Sequence, residues 1–258
     1  MPARRHLNGS RPFDRGVLEG WAASPRGQRL LALEATELRR LLPDVFGRHV
    51  LQIGSWLGGN ALIDSAETLH RAVLGTVVGD SAAAVIDPEH LPLPARSVDA
   101  VILPHTIEFC ASPHNVLREA TRVLNDRGRL FLFGFSPWGL PAWRERLGWR
   151  ARNFPPGARF YGANRVADWL QLLDFDIADV RRFGTGFPWL APRSSTHPWR
   201  PGDLLAPFTD NYLIVARRRV LPINLIGKTQ RAQIKPLVGV PATASVQRQG
   251  VDEPKPTP

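Results

Sequence analysis

Short continuous apolar runs alternate along this chain with segments whose apolar residues recur every three or four positions. His49–Ile53, Ala72–Val78, Ala82–Ile86, Val98–Leu103 and Arg129–Phe135 are strand-sized runs. Val98–Leu103 is continuously apolar, as in a strand covered on both faces. Phe175–Val180 and Asn211–Ala216 add two later strands. Helical spacing begins at Ser24-Pro25, a serine cap followed by proline at the first helical position. Leu30, Leu31, Leu33, Leu38, Leu41 and Leu42 supply its apolar face, and Pro43 stops it. Ser112-Pro113 repeats that start. Val116, Leu117, Ala120 and Leu124 form the stripe, with Gly128 as the predicted C-terminal stop. A third helix spans Asn164–Leu173. Alternating strands and helices, with a glycine-rich turn (Gly54 to Gly59) after the first strand, predict a doubly wound sheet with its ligand at the strand C-termini.

Three regions depart from this rhythm. Residues 1–23 are irregular. Residues 137–163 form a Pro/Gly/Trp/Arg-rich insertion. Beyond residue 220 the apolar density falls, prolines accumulate and periodicity is lost, so 221–258 reads as a basic disordered tail. The folded domain is therefore expected at 24–220.

Composition narrows the classes. At 258 residues, with 43% apolar and 22% charged residues, the chain can bury a full core. No apolar run reaches the ~18 residues a membrane-spanning helix needs. No apolar stretch follows the N-terminal arginines, so a secretory signal is not expected. Cys110 is the only cysteine, which excludes an internal disulfide and a cysteine-cluster metal site and fits a cytoplasmic location. The net charge of +10 is uneven. Residues 1–48 hold nine Arg against five acids, residues 49–216 sixteen of each, and residues 217–258 eight basic residues against two acids. A neutral middle with basic ends suits a soluble domain. The ends are candidates for weak contact with nucleic acid or an anionic membrane.

The segment from Val85 to Pro137 resembles the methyltransferase type 11 domain of the class I S-adenosylmethionine-dependent methyltransferases. The resemblance lies in Asp87, Leu91-Pro92-Leu93, Ser97-Val98-Asp99, the Pro113–Leu124 helix, Arg127-Gly128 and Leu130–Phe133. It implies a Rossmann-like α/β sheet, S-adenosyl-L-methionine as cofactor and an unidentified methyl acceptor. It also implies a cofactor site along Gln52, Gly54, Ser55, Trp56 and Gly58, with Asp87 and Pro88 near the adenine. Leu103 and Pro104 end the fourth strand, and Asp80 is the candidate acid for the ribose. His105, beside Glu108, follows that strand, where the family exposes residues toward the transferring methyl; it is the candidate proton acceptor. No metal is implied.

Two departures from the family pattern matter. Its first motif has an acid before a Gly-x-Gly-x-Gly loop; here Gln52 replaces the acid and Trp56 the middle glycine. Gln52 brings no charge to the cofactor's ammonium, and an indole at 56 stands in, or leans over, the methionine position. Only Gly79-Asp80-Ser81 separates the second and third predicted strands, where a parallel crossover needs about a dozen residues. The second crossover is thus eroded, and a hairpin is the alternative.

Bland readings accompany each candidate. Gly54 and Gly58 also suit a plain strand-to-helix turn, Asp87 before Pro88 an ordinary turn, and His105 a loop position. The insertion carries Trp138, Trp143 and Trp149 beside Arg144, Arg146 and Arg150. It reads as an acceptor lid, as a packing helix, or as a membrane or RNA contact. The rivals to a methyltransferase are a non-catalytic binding or scaffold protein of the same fold and a basic nucleic-acid or membrane-surface protein.

Overall fold

The computed structural model describes residues 21, 23–45, 47–56, 62–64, 66, 68–76, 82–137, 158–183, 193–195 and 209–219. Helix α1 (Pro25–Leu41) starts as its sequence dictates. Ser24 is extended, its Oγ accepts the Gly27 N–H at 3.2 Å, and Pro25 opens the first turn. A 3-10 turn at Leu42–Asp44 closes it. The strands are β1 (His49–Ile53), β2 (His70–Gly75), β3 (Ala84–Val85) and β4 (Val98–Pro104). A single helical turn, α2 (Thr106–Phe109), and helix α3 (Pro113–Val123) lead into β5 (Leu124–Phe135). Then come α4 (Ala163–Leu172), β6 (Phe175–Phe183), β7 (Arg193–Ser195) and β8 (Asn211–Arg218).

The strands form one sheet in the order β3-β2-β1-β4-β5-β8-β6-β7. The first five run parallel, and β8, β6 and β7 are antiparallel to their neighbours. Side-chain alternation splits the core in two. Leu51, Ile53, Val101, Leu103, Leu130 and Leu132 face α3 and α4. Val50, Ala100, Ile102, Phe131, Phe133 and Phe135 share the other core with Leu30 and Leu38 of α1. Each fully buried aliphatic or aromatic side chain contributes about 1.5–3 kcal/mol, so the sheet is held from both faces. After β1 the chain moves outward to β2 and β3, then returns to lay β4 on the opposite side of β1. The switch point between β1 and β4 is where ligands of open α/β sheets bind.

Three expectations are corrected. The hairpin alternative fails: β2 and β3 pair in parallel, Leu74 with Ala84 and Gly75 with Val85. The two strands are shorter than their apolar runs, so residues 76–83 join them, enough to feed a strand of two residues. The second helix ends at Val123, not before Gly128. Leu124 donates its N–H to Ala120 O and already pairs with Val98. Gly128 lies inside β5, at a register shift where a Cβ would press on Leu124. The edge strand β7 and the turn α2 were not expected. The lid of the insertion at 138–157, the tail from 221, Gly58 and Asp80 lie outside the described residues.

Gly134 of β5 pairs with Tyr212 of β8, and a Cβ at 134 would collide with the tyrosine ring. That ring is buried and donates its hydroxyl to Tyr161 O at 2.9 Å, so it has no room to retreat. Gly134→Ala is expected to lower stability by about 1–3 kcal/mol, measured as a shift of the urea midpoint; an unchanged midpoint would contradict this packing.

Candidate active site

The C-terminal ends of β1 and β4 are sewn together. Gly54 follows β1 with φ of 98°, a conformation that favours glycine. A Cβ there would lie 2.9 Å from Thr106 Oγ1. Thr106 in turn donates that hydroxyl to Ile53 O at 2.5 Å, and Gly54 donates its N–H to Leu74 O at 2.7 Å. Gln52 is buried, with its Nε2 donating to Gly54 O at 3.0 Å. The carboxamide that replaces the expected acid therefore supports the turn from beneath. Gly54 and Ser55 are half-buried, so this turn reaches the surface at the switch point.

Trp56 turns inward. It is 3% exposed and its Nε1 donates to Glu34 Oε2 at 2.9 Å. Glu34 comes from α1 and is fully buried; its other oxygen meets His105 Nε2 at 2.6 Å. The His105 ring lies 4.4 Å from the Trp56 ring and 3.9 Å from the Phe135 ring, centroid to centroid. Its Nδ1 faces Glu108 Oε1 at 3.5 Å, an ion contact longer than a hydrogen bond. Glu108 Oε1 also accepts the Phe135 N–H at 2.8 Å. Burial alone pulls the pKa of this imidazole down, but the carboxylates of Glu34 and Glu108 outweigh it and raise the pKa to about 9. His105 is thus a caged imidazolium at neutral pH, with a left-handed backbone (φ 52°). It offers no lone pair, so this environment does not suit the proton acceptor expected at this position.

Leu103 and Pro104 are buried beneath the switch point, paired with Leu132 and Phe133. Asp87 follows β3 on the same C-terminal edge. One of its oxygens accepts the Glu89 N–H at 2.9 Å, and the other meets His90 Nδ1 at 3.0 Å, which raises the pKa of that exposed imidazole. The Asp87 side chain is 35% exposed. Its loop, with Pro88 in the turn, is stapled to α3. Glu89 accepts the Ser112 N–H at 2.8 Å, Glu119 accepts the Leu91 N–H at 2.9 Å, and Arg122 donates to the carbonyls of Leu91 and Leu93. Cys110 is buried, and burial pushes its thiol up to about 12, so it is no nucleophile. Among the described residues no group of side chains is arranged to hold a metal.

The sequence reading missed Glu34. It lies four residues after Leu30 and four before Leu38, in the middle of the buried stripe of α1. An acid on an apolar helix stripe is the signal that identifies it.

The methyltransferase domain family matches residues 62–132. The protein YafS of Escherichia coli (strain K12) is 31% identical over 206 residues, covering 80% of this chain and 82% of that one. Rv2003c of Mycobacterium tuberculosis (strain H37Rv) is 33% identical over 195 residues, 71% of this chain, which spans 62% of that relative's length. The chain belongs to the methyltransferase type 11 family of class I methyltransferases. The cofactor of that family is S-adenosylmethionine. A SAM-dependent methyltransferase of Thermotoga maritima shares the fold, with a TM-score of 0.58 at 18% identity over 75% of this chain and 91% of its own. Among the described residues no helix is long and apolar enough to cross a membrane.

The caged imidazolium makes stability depend on pH. Its folded pKa of about 9 lies above the unfolded value of about 6.5. The pairing therefore stabilises fully below pH ~6.5 and loses its effect as pH rises through ~9, an effect on the order of 3 kcal/mol. Glu34→Gln is expected to lower stability by about 3 kcal/mol at pH 6 and by clearly less at pH 9.5. Urea unfolding at both pH values checks this; a deficit equal at both would contradict it.

Proposed function

We propose that this protein transfers a methyl group from S-adenosylmethionine to an acceptor without a fixed base. The observation that carries the reading is the half-buried, left-handed glycine turn Gly54–Ser55 at the β1/β4 switch point, with the partly exposed Asp87 carboxylate on the same edge. Those residues fit the adenosine half of the cofactor. A glycine required by Thr106 leaves room for a ribose beside the backbone. Asp87 has lone pairs left to accept an amino N–H of adenine. Bound there, the cofactor supplies an electrophilic methyl on a sulfonium. The chain then has to orient the two reactants in line and exclude water, which methyl transfer chiefly requires. Trp56, Phe135 and the α1 helix provide an apolar wall, and Glu34 fixes Trp56 and His105 in it.

The arrangement of Trp56 also favours a second reading. The indole stands at the position of the middle glycine and is held inward by Glu34, so the methionine side is narrower than the family's pattern. A protein of this kind that binds a nucleoside and does not methylate is the reading this wall supports.

Calorimetric titration with S-adenosylmethionine separates the two from a protein with no cofactor site. Binding is expected, with Asp87→Ala weakening it about tenfold, or about 1.4 kcal/mol. S-adenosylmethionine and 5′-methylthioadenosine binding alike would favour the nucleoside reading, because the methionine half would then contribute nothing. No heat and no shift in melting temperature with millimolar cofactor would overturn both readings.

Trp56→Ala is expected to cost about 3–5 kcal/mol of stability through the lost buried indole. Thermal melts monitored by circular dichroism measure it.

A further inference from the structure

Beside His105, two buried oxygens accept no hydrogen bond among the described residues, and the buried Nδ1 of His105, 3.5 Å from Glu108 Oε1, is likewise without a hydrogen-bond partner. Glu108 is 1% exposed; its Oε1 holds the Phe135 N–H, while its Oε2 accepts no hydrogen bond. Asn211 is 2% exposed and its Oδ1 likewise accepts none. Asn211 is the direct cross-strand partner of Phe135, so both side chains gather at one strand end. Natural structures rarely leave such buried acceptors unsatisfied, and each calls for a cause. Among the described residues the charge is also unbalanced. Glu34 and Glu108 bring two carboxylates against one imidazolium, His105, and all three are shut away from solvent. Among the described residues no guanidinium pairs with Glu108: Arg159 gives its backbone N–H to Glu108 O and its Nη1 to Ala111 O, Arg26 lies 3.4 Å from Asp210, and Arg181 pairs with Glu37 and Asp179. Aromatic rings surround the spot, with Trp21 and Phe160 both edge-on to Phe135.

We infer that Glu108 and Asn211 form a recognition site for a protonated amino group of a bound ligand. A carboxylate and an amide oxygen that both need donors, one excess negative charge, and aromatic faces make up the chemistry that selects an alkylammonium group over an alcohol. The site lies at the C-terminal ends of β4 and β5, beside the switch point, and its role rests on the methyl-transfer reading. The amino group belongs either to the methyl acceptor or to the methionine part of the cofactor. The second source would supply the counter-charge that Gln52 lacks.

The test uses the full chain, wild type and Glu108→Gln, with S-adenosylhomocysteine, 5′-methylthioadenosine (the same nucleoside without the amino acid), phenethylamine and phenethyl alcohol. Glutamine keeps an oxygen for the Phe135 N–H and removes the excess charge. His105 keeps Glu34 but loses its second carboxylate, so the unliganded variant is expected to melt somewhat below the wild-type temperature, while amine binding falls selectively. If the cofactor supplies the amine, Glu108→Gln weakens S-adenosylhomocysteine at least tenfold and leaves 5′-methylthioadenosine unchanged. If the acceptor supplies it, both nucleosides bind as before, and the melting shift given by phenethylamine, absent with phenethyl alcohol, is lost. A variant that binds S-adenosylhomocysteine and phenethylamine as the wild type does overturns the inference, and so does one that weakens every ligand alike. Asn211→Asp supplies an independent arm: an added carboxylate should tighten the same amine and lower unliganded stability, and weaker amine binding would count against the site. Should neither nucleoside bind the wild type while phenethylamine does, the amine site stands and the methyl-transfer reading falls. Nucleoside binding untouched by Glu108→Gln, with no response to phenethylamine, gives the reverse.

Discussion

The buried imidazolium of His105, held between two carboxylates, organises the C-terminal edge of the sheet at the β1/β4 switch point. It is reached from α1 by Glu34 and from the turn after β4 by Glu108, and it is covered by the rings of Trp56 and Phe135. Breaking such a buried pair by removing one partner typically costs about 3–5 kcal/mol, because the remaining charge is left in a medium that cannot solvate it. The pairing therefore fixes one arrangement as well as contributing stability. It sets α1 over the strand ends, turns Trp56 inward and gives the loop after β4 its left-handed step at His105.

The rest of α1 follows from that anchor. Leu30 and Leu38 pack on the sheet on either side of Glu34 along the helix, and Glu37 reaches Arg181 of β6 at 2.7 Å. The helix thus spans the sheet from the parallel half to the antiparallel half and walls the site on one side. On the other side, α3 holds the Asp87 loop through Glu89, Glu119 and Arg122. The switch point lies between two rigid supports. In the proposed reading an in-line transfer gains from such placement, since orientation lowers the barrier without any group that takes a proton.

Most of the sheet was legible because its signals are local. The run His49–Ile53, the capped prolines at 25 and 113, and the order Asp87, Leu91-Pro92, Ser97-Val98-Asp99 each lie within a few residues and have a direct structural meaning. The direction of β3 was not legible. An apolar run of five residues hides a strand of two, and the length of the connection depends on which residues join the ladder. The true end of α3 was hidden likewise, since Leu124 continues the helical stripe yet pairs with Val98. The site was legible in part. Gly54, Asp87 and His105 all fall on the C-terminal edge, but the surroundings of His105 depend on a partner 71 residues away. Helical periodicity places Glu34 on the buried face; which group it meets there is fixed only by the packing of α1 on the sheet. An imidazole judged from its sequence neighbours looks free to accept a proton, and the fold instead sets it between two buried carboxylates that favour the protonated ring.

The claim that a caged imidazolium organises the site can be observed at the ring itself. Nitrogen-15 NMR of the selectively labelled imidazoles, with His105 assigned through His105→Gln, reports the protonation of both ring nitrogens. At pH 7.5 both nitrogens of His105 should carry protons, and the titration midpoint should fall at about 9. A neutral ring at pH 7.5, with one protonated and one bare nitrogen, would contradict the account and return His105 to the role of a proton acceptor.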